Sequence, residues 1–446
     1  MAASAKEVAR THLADAGVED LPAGWDVVTL GDQLAPERGI AVGVMYPGDH
    51  DPDGVPLIKA GDLHGSVINP APDFRISRER NHEYRRTELK GGELLMTLVG
   101  NVGQCAVVPK SMAGWNTARA VAVMRLADPT DATFVQQCLL SAPLQHLMDV
   151  WCNTTVQATL NLKEIRQLPL PWPPKKSRDL IAAFGKAIDD KINLNRRMNA
   201  TLEAMVRAMF QSWFVDFDPV RAKLDGLPPA GLDSATAALF PESLQISPLG
   251  HIPRGWTASN LAEIATNPRR GVQAKNIHPN TPYIALEHMP RRSIALGDWE
   301  DSAAVVSNKF AFNKNEILFG KLRPYFHKVG VAPFDGIWST DILVLAPKSP
   351  EWFGFLLGHA SSDDLVQFTD LASTGTKMPR TNWSDIGSFR VAIPPRAVAD
   401  IFTRTIRPIV EKIQFNIRQI RVLGDWRDNV LPKLLSGELS VSTKPN

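Results

Sequence analysis

Asn161-Leu-Lys-Glu-Ile165, running on to Pro173-Pro174, returns 221 residues later as Asn382-Trp-Ser-Asp-Ile386, running on to Pro394-Pro395. The same interval carries Lys191-Ile192-x-x-Asn195 onto Lys412-Ile413-x-x-Asn416. Earlier in each copy, Trp115-Asn116-Thr117 matches Trp338-Ser339-Thr340, and Glu93-Leu94-Leu95 matches Glu316-Ile317-Leu318, both 223 residues apart. Leu21-Pro22-Ala23-Gly24-Trp25 matches Ile252-Pro253-Arg254-Gly255-Trp256 at 231. One short match arises by chance, but five in order do not. The chain is a tandem duplication of a unit of about 220 residues.

Each copy has two parts. The first is punctuated by Gly and Pro and holds short apolar runs such as Ala120-Val-Ala-Val-Met124 and Asp341-Ile-Leu-Val-Leu345, which predict strands of a mixed domain. The second begins after the Pro-Pro pair and predicts one long helix. The expected architecture is α+β: two tandem-duplicated α/β domains separated by two long antiparallel coiled-coil helices. The divisions are an N-terminal extension (1–19), a first domain (20–174), a central helix with connector (175–249), a second domain (250–395) and a C-terminal helix (396–446).

In the central helix Ile181, Phe184, Ile188, Lys191, Asn195, Met198, Leu202, Met205 and Met209 take alternating a and d positions of a heptad. The C-terminal helix follows with Phe402, Ile409, Ile413, Ile420, Leu423 and Val430. A helix over about 178–214 would be roughly 55 Å long, too long to wrap inside a small domain. Lys191 and Asn195 interrupt the first seam, and Lys412 and Asn416 the second, at equivalent places. Polar seam residues fix register and partner, so the two helices are expected to pair with each other. That these side chains simply face solvent stays open.

With 446 residues, 44% hydrophobic and 22% charged, the composition is that of an ordinary folded protein of two or three domains. The net charge of +2 leaves any nucleic-acid role to local patches. Cys105, Cys138 and Cys152 have no metal-ligand spacing and read as free thiols of a reducing cytoplasm. Met1 to Gly17 lacks the apolar core of a signal peptide, and no run approaches the length of a membrane span. A cytoplasmic protein is the expectation.

Catalytic signatures are missing. Gly100-Asn-Val-Gly103 lacks the third glycine of a cofactor loop, and Pro171-Trp-Pro-Pro174 lacks the polar residue that would hold a flipped adenine. Asp73 with Glu88-x-Lys90 resembles a nuclease arrangement, but in the second copy Glu88 and Lys90 fall on Ala311 and Asn313. No phosphate-binding Gly-x-x-x-x-Gly-Lys-Ser/Thr loop, nucleophile elbow or His-Glu-x-x-His occurs. Neither catalysis nor a metal site is expected.

Basic residues bunch within the two mixed domains. Arg75, Arg78, Arg80, Arg85, Arg86 and Lys90 share a 16-residue window with three Glu. Lys59, Asn101, Gln104 and Arg119 extend the set. The second copy has Arg269, Arg270 and Lys275, then Arg291 and Arg292, then Lys321-x-Arg323-x-Tyr325. Such groups suit phosphate contacts, while Arg, Lys, Asn and Gln read base edges. Any single cluster is more often just a solvated surface; recurrence in both copies favours DNA. The loop with Thr376, Lys377 and Arg380 is basic, whereas its counterpart with Thr154 and Gln157 is uncharged. Loops so different would meet different bases.

Several stretches resemble a known family. Phe210-Gln-Ser-Trp213-Phe-Val-Asp-Phe-Asp-Pro219-Val-Arg-Ala-Lys223 resembles the segment after the first long helix of Type I restriction–modification specificity subunits. Ile317-Leu-Phe-Gly-Lys321-Leu-Arg-Pro-Tyr325, leading to Trp338-Ser-Thr-Asp-Ile-Leu343, resembles their second target-recognition domain. Gly375-Thr-Lys-Met-Pro-Arg380 and Leu431-Pro-Lys-Leu-Leu-Ser-Gly437 fit as well, and the likeness covers residues 20–440. It implies a non-catalytic subunit whose two domains each read half of an asymmetric bipartite DNA site. It also implies that the helices set the spacing and dock two methyltransferase subunits, which restriction–translocase subunits join. S-adenosylmethionine, ATP and Mg²⁺ would belong to those partners. Two rival readings from the residues are a fused restriction–methylation enzyme, and an interaction protein whose mixed domains bind protein.

Overall fold

The computed structural model describes residues 5–37, 39–152, 158–373 and 378–440. The chain divides into two compact units, Met1–Asn193 with Val422–Asn446, and Leu194–Arg421. Their boundary falls inside both long helices, not at the helix ends.

In the first unit a four-stranded antiparallel sheet runs in the order Ile40–Val42, Val121–Met124, Leu94–Thr97, Cys105–Val107. The central pair is fully buried, which explains why these runs are continuously apolar instead of alternating. Leu94, Met96, Ala122 and Met124 face a core shared with the helices Ala132–Leu140 and Ala142–Trp151. Leu95, Val121 and Val123 face a second core with Ile58, Leu63 and Leu89. Cys105 and Cys138 are free and buried, and burial pushes both thiols up. A ribbon of Asp26–Thr29 against Pro169–Trp172 joins the start of the mixed domain to its end. Pro169 and Pro171 are tolerated there because a two-stranded ribbon leaves one side of each strand unpaired.

Both chain ends contribute to this unit. Residues 1–19, expected as an extension, include the helix Ala5–Asp15, whose Ala9 and Leu13 are buried in the same core as Leu431, Leu434 and Leu435 of the C-terminal helix. Gly437 ends that helix in the left-handed region, against the ring of Pro22, where a side chain would have no room.

The second unit repeats the plan. Its antiparallel sheet runs Ala265–Thr266, Ile342–Pro347, Ile317–Gly320, Val329–Val331, and its ribbon pairs Thr257–Asn260 with Arg390–Ile393. Leu30 N–H donates to the Leu168 carbonyl at 2.8 Å, and Leu261 N–H to the Phe389 carbonyl at 2.9 Å. Ile165 and Ile386, from the stretch that revealed the repeat, are both fully buried. The turn into the second sheet strand matches in detail. Glu93 accepts from Lys90 N–H at 2.8 Å and Glu316 from Asn313 N–H at 2.7 Å. Gly92 and Asn315, one residue before each Glu, both have positive φ.

One match of the sequence alignment shifts. Ile58 pairs in parallel with Thr117, and Ile284 with Trp338. Thr117, not Trp115, therefore occupies the place of Trp338. In space the interval here is 221, because strand pairing, not the tryptophan, sets the register.

The central helix spans Lys175–Phe210 and the C-terminal helix Arg396–Ser436. In the second unit Asn195 Nδ2 donates to Gln419 Oε1, and Asn416 Nδ2 to Asn199 Oδ1, both at 2.8 Å. One number rises as the other falls, so the helices run antiparallel. In the first unit Asp189 accepts from Gln137 Nε2 at 3.0 Å and Arg427 Nη1 at 3.1 Å. Lys191 and Lys412 are exposed. The buried face runs through Ile188, Ile192, Asn195, Asn199, Glu203, Val206 and Phe210, drifting off the assigned a and d positions. Ile188, Asn199 and Phe210 are spaced by 11, as are Phe402 with Ile413 and Ile406 with Ile417. An 11-residue period is 3.67 residues per turn, nearer to a straight helix than the heptad's 3.5.

A π-helical turn over Gln211–Val215 follows, and Phe217 at φ 56 ends the run. Phe210, Trp213, Phe214 and Phe217 pack edge-on or tilted against Trp256, Phe355 and Phe402. This aromatic plug accounts for the Phe210–Pro219 motif. Among the described residues no helix is long and apolar enough to cross a membrane.

Candidate nucleic-acid interface

The fold sorts the basic residues into those it uses itself and those it leaves available. In the first unit Lys59 Nζ pairs with Asp73 at 3.1 Å and lies over the Phe74 ring. Arg75 Nε donates to the Gly54 carbonyl at 2.9 Å, and Arg80 pairs with Glu83 one helical turn on. Asn101 and Gln104 hold a hairpin turn: the Asn101 carbonyl accepts from Thr97 Oγ1, and Gln104 Oε1 accepts from Gly65 N–H at 2.7 Å. Arg78, Arg85, Arg86 and Arg119 are exposed, with no side-chain hydrogen bond or ion pair among the described residues.

In the second unit Arg270 grips Glu316 with both Nη atoms, at 2.8 and 2.7 Å. That bonding raises the Arg270 pKa, with burial opposing it. Arg292 pairs with Asp363 at 3.0 Å and Arg380 with Asp341 at 3.3 Å. Arg323 has φ 51, and its buried Nε has no partner. Arg291 lies 4.0 Å over Phe326, and Arg269 5.2 Å over Phe310. Stacking in this way orients a guanidinium without consuming its N–H donors. Lys275 and Tyr325 are exposed; the Lys321 ammonium has no hydrogen bond or ion pair among the described residues. Thr154, Gln157, Thr376 and Lys377 lie outside the described residues. Of the four residues proposed for helix pairing, Asn195 and Asn416 sit in the contact and Lys191 and Lys412 outside it.

Each unit carries a cleft at the same place in its fold. In the first, about 490 Å³, the walls are Leu98 and Val99 after one sheet strand, Arg119 and Ala120 before another, and Thr159 to Leu162. In the second, about 460 Å³, they are Lys321, then Thr340 with Ile342, then Thr381 to Ser384, with Asn267, Arg269, Phe310 and Trp338 behind. One hydrogen bond closes both: Leu160 N–H to the Leu98 carbonyl, and Thr381 N–H to the Lys321 carbonyl, each 3.0 Å. Composition alone did not mark Leu98, Asn267, Thr340 or Trp338 as site residues. The repeat alignment was the signal that could have found them. A larger hollow of about 790 Å³ is lined by Arg207, Phe210, Arg292, His359, Asp363 and Arg390, with Arg292 paired to Asp363.

The nuclease-like residues do not assemble. Asp73 is engaged by Lys59, and Glu88 accepts from Asn81 Nδ2. Among the described residues no group of three or more His, Cys, Asp or Glu is placed to hold a metal ion.

No family model matches the chain. It is 25% identical over 310 residues to the Type I restriction enzyme MjaIX specificity subunit of Methanocaldococcus jannaschii, covering 67% of this chain and 66% of that protein. It is 26% identical over 326 residues to the HindI specificity subunit of Haemophilus influenzae, covering 63% and 71%. The alignments thus span about two thirds of each relative. Among solved structures, the S subunit of a Type I restriction–modification system from M. genitalium matches with a TM-score of 0.52 at 13% identity, over 92% of this chain and 96% of that one. The chain is a relative of the Type I restriction enzyme specificity subunits and has the fold of one.

Proposed function

We propose that this relative of the Type I specificity subunits is the non-catalytic DNA-recognition subunit of such a system, reading an asymmetric bipartite site with one mixed domain per half. One observation carries the reading: the same cleft occurs in both copies with different walls, holding Arg119 in the first and Lys321 with Arg269 in the second. Equal scaffolds with unequal walls suit a site whose halves differ. Arg78, Arg85, Arg86, Lys275 and Arg291 suit phosphates, which position a protein on the duplex without reading it and make affinity fall steeply with salt.

The paired helices suit a spacer between the half-sites and a platform for two methyltransferase subunits, with restriction–translocase subunits joining that core. S-adenosylmethionine, ATP and Mg²⁺ are assigned to those partners, and adenine methylation or cleavage is theirs to perform. The site of action is the cytoplasm, where chromosomal DNA lies.

The test is a genome-wide map of methylated adenines in cells making this chain together with its neighbouring methyltransferase subunit. A split, asymmetric motif that disappears when this chain is omitted is the expected result. A motif that persists without it would remove the assignment.

A further inference from the structure

Position by position, the two clefts differ by an exchange. In the first, the cation is Arg119, just before the strand Val121–Met124. Sheet register makes Thr340 its counterpart, since Val121 pairs with Thr97 as Ile342 pairs with Gly320. In the second, Lys321 stands at the end of the opposite wall, where its counterpart is Leu98, and Arg269 lies behind it over the Phe310 ring. Each cleft therefore has a cation on the wall where the other has a neutral residue.

The fold requires neither cation at its position, because the other copy builds the same cleft without it. Nor does either bond to the protein: both side chains lack a hydrogen-bond or ion-pair partner among the described residues. The second cleft is also short of partners within. Trp338, 97% buried, has no partner for Nε1, and Asn267 none for Oδ1. Buried donors and acceptors are nearly always satisfied, so these two point to a polar group that enters the cleft.

We infer that Arg119 and Lys321 are the residues that tell the two half-sites apart, each donating to a base edge in the groove its unit faces. This rests on the DNA-reading proposal above. Guanine presents two acceptors, N7 and O6, in the major groove and is the base that Arg and Lys address most often. Because the cations stand on opposite walls, the bases they read lie at different positions within their half-sites. The remaining basic residues hold the backbone, and the fold reuses the cleft while changing its reader.

The experiment uses the substitutions that the repeat itself supplies, Lys321→Leu and Arg119→Thr, in the full-length chain. Each puts in a residue that the other copy already carries there, so folding is retained; thermal unfolding checks this. Wild type and variants select from a random duplex library, and bound sequences are read out for each half-site separately. Lys321→Leu is expected to lower the preference at one position of one half-site roughly tenfold or more, leaving the other half intact. Arg119→Thr does the same in the other half. A uniform loss of affinity, with a shallower salt dependence and an unchanged motif, would make both cations phosphate contacts and overturn the inference. An unchanged motif and affinity overturns it too. Failure of the wild type to select any sequence would instead remove the DNA-reading proposal beneath it.

Discussion

His359 sits between Phe210 and Phe355, with ring centroids 4.9 and 4.5 Å away and no partner for Nε2. Burial lowers its pKa from 6.5 to about 3, so it remains neutral where an unfolded chain would take up a proton. Between those values the unfolded state binds more protons, and stability falls as pH drops below about 6.5. His327, also lowered by burial, acts in the same direction. The expected outcome is a thermal midpoint that drops between pH 7 and pH 5, and drops less in His359→Leu; an equal drop in both would remove His359 as the source. At the same scale, Asn416→Ala leaves Asn199 buried without its donor and is expected to cost about 1–3 kcal/mol in urea unfolding. Asn195 and Asn416 were legible from sequence because a buried amide interrupts an apolar stripe. Arg270 was not: its partner Glu316 lies 46 residues away, and only the folded sheet brings them together.

The helices were legible as elements but their buried face was not. A heptad reading starts correctly at Ile181 and Ile188, then slides by about 20° per heptad against a straight helix. It therefore predicts Lys191 and Met205 where the protein buries Ile192 and Val206. The register fixed by Asn195 with Gln419, and by Asn199 with Asn416, sets how the two helices can be changed in length. Lengthening one helix alone throws its amides out of register, and loss of stability is expected. Matched insertions of 11 residues in both keep the buried face continuous and should widen the unread gap between half-sites. Selection from libraries of varied gap length measures this, and an unchanged gap would show that the helices do not set it. The strands were legible for a different reason: Leu94–Thr97 and Val121–Met124 are buried on both faces, so their apolar runs are unbroken.

At the scale of the molecule, the duplication was the most informative feature of the sequence, since it gave two copies of one fold before any element was placed. Where the strand ladders would register was invisible, which is why Trp115 was matched to Trp338 two residues out of step. Equally invisible was that the compact units would cut through both helices. The first unit draws its core from both ends of the chain: Ala9 and Leu13 from the start, Leu434 from the last helix. Leu434→Ala is expected to cost about 2–5 kcal/mol, and hydrogen exchange should place the loss in residues 5–193, hundreds of positions away in sequence. A loss confined to the helix end would contradict the shared core.

That shared core also bears on how the protein is made. The second unit, Leu194–Arg421, is one continuous stretch and is complete as soon as it leaves the ribosome. The first emerges earlier but lacks Leu431, Leu434 and Leu435 until translation has passed the second unit. At ~5–20 residues per second that wait lasts roughly 10–50 seconds, during which Ala9 and Leu13 pack in a core still missing those three leucines. The half of the protein that is born first is the half that finishes last, and until then its unfinished core is exposed to chaperones and proteases.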